Sequence, residues 1–129
     1  MVMSAAEMVR DAMARIEIVT PDAVADDIAS GTAVVLDVRE PVEWEHHIAG
    51  AVQVPRGLLE FVADPASPRH DVRLDPARRI LVYCNSGGRA ALAPLRLQEL
   101  GFTDVANIAG GFKGWKEAGL PATEHHADL

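Results

Sequence analysis

The sequence predicts an α/β domain with a small, mostly parallel β-sheet and helices on both faces. Two observations carry this. The segments "TAVVLDVRE" (residues 32–40) and "RILVYC" (residues 79–84) hold unbroken apolar runs of strand length that give way to polar residues, as strands buried on both faces of a sheet do. Around them lie segments with helical spacing and helix-cap signals. Strand therefore alternates with helix, which calls for parallel strands joined by right-handed crossovers.

Each element follows in order. Between Ser4 and Ala14 the apolar residues fall at helical spacing, with Ser4 as N-cap and Glu7 three residues on as its capping-box partner. A leading amphipathic helix over residues 1–15 is predicted. "IEIV" reads as a short strand. Thr20 with Pro21 starts the next helix, which stops at Gly31. After the first buried strand, "PVEWEHHIAGAVQVP" reads as a short helix, a glycine turn and a short strand closed by Pro55. Phe61 to Arg78, punctuated by Pro65, Pro68 and Pro76, reads as a long surface loop. The second buried strand leads into "GRAALAPLRLQELG", a helix capped by Gly101. Pro94 in its interior removes the bond to the carbonyl of Ala90 and predicts a kink. One more strand, a turn at Gly110 and Gly111, and a short helix around Trp115 complete a domain over residues 16–122. Residues 123–129 form a polar tail.

Composition narrows the function. A chain of 129 residues with a formal charge of −7 is poorly suited to clustered phosphate contacts, so neither nucleic acid nor an anionic membrane surface is the expected partner. No apolar run approaches the ~20 residues of a membrane span, and the N-terminus lacks the basic and apolar regions of a signal peptide. A single cysteine forms no intramolecular disulfide. A cytoplasmic domain, monomer or homodimer, is expected, and no metal or cofactor.

That cysteine, Cys84, stands at the carboxyl end of a buried strand, where open α/β sheets collect functional groups. The small residues Asn85, Ser86, Gly87 and Gly88 follow, then Arg89 in the first turn of a helix. Two glycines let consecutive N–H groups converge on one point, and the helix start adds partial positive charge. Amides, helix dipole and guanidinium together favour a thiolate. An isolated cysteine ending an apolar strand is usually an inert core residue, but such a residue has no use for this loop. Two chemistries fit the cradle: a thiolate that attacks phosphorus, or one that carries a sulfur atom as a persulfide.

"CNSGGRA" after its strand, "LDVREPVEWEHHIAGAVQVP" upstream and "IAGGFKGWKEAGLP" downstream together resemble the single-domain rhodaneses, over about Ile18 to Ala122. The resemblance implies a sulfurtransferase with Cys84 as the persulfide-forming nucleophile. The amides of Asn85 to Arg89 would hold sulfur and the incoming anion, and Arg89 would neutralise the donor. Members that act on phosphate esters carry one more residue between the cysteine and the arginine. The six-residue loop from Cys84 to Arg89 thus favours sulfur transfer from an anionic donor such as thiosulfate to cyanide or a thiol. A rhodanese module that only binds a partner protein, and a small phosphatase, are the other readings.

Most of the remaining candidates are expected to have structural roles. By the resemblance Asp37 and Arg39 form an ion pair bracing the active edge, and Glu40 opens the following helix. Arg56 follows a strand end on the same side and is a candidate contact for an anionic donor. His46 and His47 diverge as sequence neighbours and make no common metal site, and Glu124, His125 and His126 lie in the tail. His46 stands where the family usually has glycine, and His47 is expected to pack through a hydrogen bond. Trp44 and Trp115 are expected to pack helices onto the sheet.

Overall fold

The computed structural model describes residues 2–86 and 88–124. Helix α1 spans Ala5–Arg15. The Ser4 hydroxyl accepts from the Glu7 N–H, and Glu7 accepts from the Ser4 N–H, both at 3.1 Å. This is the predicted capping box. Strand β1 (Glu17–Val19) leads to α2 (Pro21–Ser30), capped by the Thr20 hydroxyl and ended by Gly31 at φ +71°. Strand β2 is Ala33–Asp37, followed by a 3-10 turn at Pro41–Glu43 and the two-residue strands β3 (His46–His47) and β4 (Val52–Gln53). A second 3-10 turn, Arg56–Leu58, opens α3 (Leu59–Ala63). Then come β5 (Arg79–Tyr83), α4 (Gly88–Glu99), β6 (Val105–Ile108), α5 (Gly111–Glu117) and β7 (Thr123–Glu124).

The main sheet has the order β1-β6-β5-β2-β4 and every pairing in it is parallel. Side chains alternate between its faces with period two. Leu36, Ile80 and Val82 face α3 and α4, in a cluster with Leu59, Ala90 and Leu97. Val35, Leu81 and Ala106 face the other way, against Val24 of α2 and Phe112 and Trp115 of α5. Each fully buried aliphatic side chain contributes up to about 1.5–3 kcal/mol by leaving water. Helix α1 packs along α4, so the leading helix covers its own domain.

Three expectations need correction. The segment from Phe61 to Arg78 is not wholly surface loop: residues 61–63 complete α3, and Leu74 is fully buried beneath the turns. An apolar anchor outweighs the prolines there. Trp44 is half-buried and clamps the chain by donating Nε1–H to the Arg39 carbonyl, whereas Trp115 does sit in the core. The polar tail begins with structure, since β7 pairs antiparallel with β3 and places His46 opposite Glu124. His125 and His126 lie outside the described residues. Helix α4 continues through Pro94, whose ring is buried.

Candidate functional site

The carboxyl ends of β2 and β5 meet at a buried polar knot. Asp37 is fully buried and Arg39 nearly so. The Arg39 guanidinium grips the carboxylate through Nε at 3.0 Å and Nη2 at 2.8 Å, and its backbone N–H adds a third bond at 2.9 Å. The Tyr83 hydroxyl donates to Asp37 at 2.9 Å and accepts from the Ile48 N–H. Nη2 of Arg39 also donates to the His46 carbonyl. Burial disfavours the guanidinium charge, but the bonds to Asp37 outweigh it and hold Arg39 above the ordinary arginine value. Burial, with Asp37 beside it, pushes the Tyr83 phenol well above its usual value. Asp37 and Arg39 thus form a buried ion pair, with Tyr83 as a third member.

Arg39 also stacks on aromatic rings, 4.5 Å from the Phe112 centroid and 5.3 Å from that of Tyr83. Such contacts favour a planar cation. The knot therefore joins β2, β5, the β3 turn and α5.

Cys84 follows β5 directly. The residue is 1% exposed and lies in the cluster shared with α4. The strand end places it at the functional edge but does not expose it, because it packs in one apolar cluster with Val38 and Ala90. The next residues, Asn85 and Ser86, are exposed; Gly87 lies outside the described residues; Gly88 and Arg89 start α4.

The loop rests on α5. The Phe112 N–H donates to the Cys84 carbonyl at 2.8 Å and the Lys113 N–H to the Asn85 carbonyl at 3.0 Å. Gly111 permits this approach: at φ +61° a Cβ there would stand 2.6 Å from the Cys84 carbonyl oxygen. Only glycine accepts both that conformation and that contact.

Arg89 is held by Glu43, a residue absent from the candidates the sequence suggested. Its Nη1 and Nη2 donate to the two carboxylate oxygens of Glu43 at 2.6 and 2.9 Å. The bidentate fork, the strongest carboxylate geometry an arginine offers, holds Glu43 down to about 2. Arg89 is raised in turn, chiefly by Glu43, with a smaller electrostatic contribution from Cys84. Glu43 also accepts the Glu40 N–H at 3.0 Å, so Glu40 opens the turn as expected. The spacing of Glu40 and Glu43 around Pro41 is a capping-box signature and could have pointed to Glu43.

Beside the loop is an open pocket of about 290 Å³, lined by Asn85, Arg39, Glu43, Glu45, Phe112 and Lys116 among others. Arg56 does not line it. Both Nη1 contacts of Arg56 run to the Glu60 carboxylate at 3.2 Å, one turn further along. His47 makes its expected packing bond, Nδ1 to the Trp44 carbonyl at 3.0 Å, and His46 pairs with Glu124 at 3.4 Å. Among the described residues no helix is long and apolar enough to cross a membrane.

The fold is a parallel α/β sheet with a single cysteine at the carboxyl end of a central strand, just before a helix. The chain belongs to the rhodanese-like domain family, which it matches over residues 20–118. It is 37% identical over 91 residues to the chloroplastic thiosulfate sulfurtransferase 16 of Arabidopsis thaliana, covering 67% of this chain and 76% of that protein. It is 33% identical over 105 residues to MoeZ of Mycobacterium tuberculosis, a probable adenylyltransferase/sulfurtransferase, covering 80% of this chain. The chain spans only 25% of that protein's length. Among solved structures, a protein of unknown function from Rhodopseudomonas palustris, called a possible tyrosine phosphatase, is 34% identical with a TM-score of 0.85, covering 94% of this chain and 95% of that one. The thiosulfate sulfurtransferase of Pseudomonas aeruginosa superposes with a TM-score of 0.73 at 27% identity, over 87% of this chain and 20% of that one. This is a rhodanese-family domain with sulfurtransferase relatives.

Proposed function

We propose that the protein transfers sulfane sulfur from an anionic donor such as thiosulfate to a thiol or cyanide, through a persulfide on Cys84. The observation that carries the reading is the seating of the loop on α5. The carbonyls of Cys84 and Asn85 are tied down by α5 amides, which holds the chain beside the start of α4. A helix start favours an anion, so this placement supports a thiolate or persulfide at Cys84. Arg89, oriented by its bidentate pair with Glu43, stands in the first turn of α4 beside the loop.

In the first step the Cys84 thiolate attacks the outer sulfur of thiosulfate. The Sγ–S bond forms, the S–S bond of the donor breaks, and sulfite leaves with the bonding pair. In the second step cyanide or a thiol attacks the bound sulfur, thiocyanate or a new persulfide departs, and the Cys84 thiolate returns. Fixed donors around the sulfur stabilise the charge that moves in both steps. The loop of four residues between Cys84 and Arg89 supports sulfur over a bulkier phosphate ester.

The test is thiocyanate formation from thiosulfate and cyanide, with Cys84→Ser as control and intact-mass analysis after thiosulfate alone. A gain of one sulfur atom on the wild-type chain, absent in the variant, is expected. No sulfur gain and no thiocyanate overturn the reading. Release of phosphate from an aryl phosphate, dependent on Cys84, would establish the phosphatase instead.

A further inference from the structure

The pocket beside the loop contains charges of both signs, and most are already spent on one another. Arg39 is neutralised by Asp37, and Glu43 by Arg89. Two charged side chains that line it have no ion-pair partner among the described residues: Lys116 and Glu45. The Lys116 ammonium lies 5.1 Å from the centroid of the Phe112 ring, an attraction that holds it over the pocket wall while leaving its three donors open. Glu45 comes from the turn before β3, so the two charges reach the mouth from different elements.

The volume of about 290 Å³ is close to the ~300 Å³ at which sites for small organic ligands begin. That is more room than an inorganic sulfur donor needs. The excess suits the second substrate, whose sulfur must reach the loop while its body remains in the pocket.

Building on the sulfur-transfer reading, we infer that the acceptor is a zwitterionic thiol, with a carboxylate bound by Lys116 and an ammonium by Glu45, as in a cysteine-type amino acid. The thiol sulfur attacks the outer sulfur of the Cys84 persulfide. An S–S bond forms in the acceptor, the Sγ–S bond of Cys84 breaks, and the electron pair returns to Sγ as thiolate. The thiol proton remains on the product persulfide. Lys116 and Glu45 are specificity residues and take no part in the bond changes.

The experiment uses four thiols as acceptors with thiosulfate as donor: cysteine, 3-mercaptopropionate, cysteamine and 2-mercaptoethanol. Wild type, Lys116→Gln, Lys116→Glu and Glu45→Gln are compared by kcat/KM, and Cys84 persulfide formation is followed separately by mass. Each thiol's own reactivity cancels in the variant-to-wild-type ratio. Lys116→Gln should lower kcat/KM about two- to fivefold for cysteine and 3-mercaptopropionate, the size expected of an exposed charge pair, and leave 2-mercaptoethanol unchanged. Glu45→Gln should do the same for cysteine and cysteamine alone, and Lys116→Glu should shift the preference toward cysteamine. Equal effects on all four thiols, or none, with persulfide still forming, overturn this inference and leave the sulfur-transfer reading intact. Failure of the wild-type chain to form persulfide overturns both.

Discussion

Replacing Gly111 with alanine tests how the cysteine loop is seated. Gly111 combines φ +61° with a backbone position from which a Cβ would stand 2.6 Å from the Cys84 carbonyl oxygen, 2.7 Å from that of Asn85 and 2.8 Å from the Asn85 carbonyl carbon. All three atoms are backbone and have no rotamer to escape into. The left-handed conformation costs alanine about 1–2 kcal/mol, and forcing atoms into filled space adds about 1–3 kcal/mol. The two costs sum to a loss of about 2–5 kcal/mol, reached partly by lifting the loop off α5 and stretching the bonds from Phe112 and Lys113. Gly31→Ala is the control. It has φ +71° and open space within 4 Å of where a Cβ would stand, so only the conformational cost of about 1–2 kcal/mol applies. Urea denaturation reads both as a shift of midpoint at unchanged slope. Cys84 persulfide yield, measured where both variants are folded, should fall only in Gly111→Ala. Equal destabilisation by the two substitutions, with persulfide yield unchanged in both, would refute the close seating of the loop.

Two other outcomes follow from the charges. Asp37→Asn leaves the buried Arg39 guanidinium without its counter-charge and should cost about 3–5 kcal/mol in the same urea assay; a loss below about 1 kcal/mol would show that the knot is not a closed ion pair. The Glu43–Arg89 pair should weaken in acid. The Glu43 carboxyl is lower in the folded protein, at about 2, than its ordinary 4.5, so its stabilisation is present above about pH 4.5 and disappears as pH falls toward 2. The full displacement corresponds to roughly 3 kcal/mol, and solvent around side chains 29% and 39% exposed brings it to about 1 kcal/mol. Glu43→Gln should remove that part of the acid dependence, and an unchanged stability profile between about pH 5 and about pH 2 would contradict the pair.

Much of this architecture is legible in the chain because its signals are local. Ser4 with Glu7, and Thr20 with Pro21, act on N–H groups within one turn, so their spacing suffices to place α1 and α2. The apolar runs ending at Asp37 and Cys84 identify the two central strands, since only buried parallel strands dispense with alternation. Less legible were features that depend on what lies opposite. Leu74 is anchored under a proline-rich segment by a core formed elsewhere. Trp44 has its indole N–H bound to Arg39, and that bond holds it at the edge of the core. His46 and Glu124 become neighbours only when β7 returns beside β3.

The cysteine site divides in the same way. Position at a strand's carboxyl end, small loop residues and a following helix are properties of consecutive residues, and the sequence alone assigns them to Cys84, Asn85, Ser86, Gly87, Gly88 and Arg89. Which charges remain available is not such a property. Arg89 meets Glu43 and Tyr83 meets Asp37 across 46 residues of sequence each, and Gly111 meets the Cys84 carbonyl from another helix. These meetings require the order β1-β6-β5-β2-β4, and that order follows from packing helices on two faces rather than from any periodicity. Sequence thus determined that a thiol would stand at the carboxyl edge of the sheet. Tertiary structure decided that it would be buried, that its arginine would already be paired, and that Lys116 and Glu45 would line a pocket with no ion-pair partner among the described residues, because neutralisation depends on distance in space.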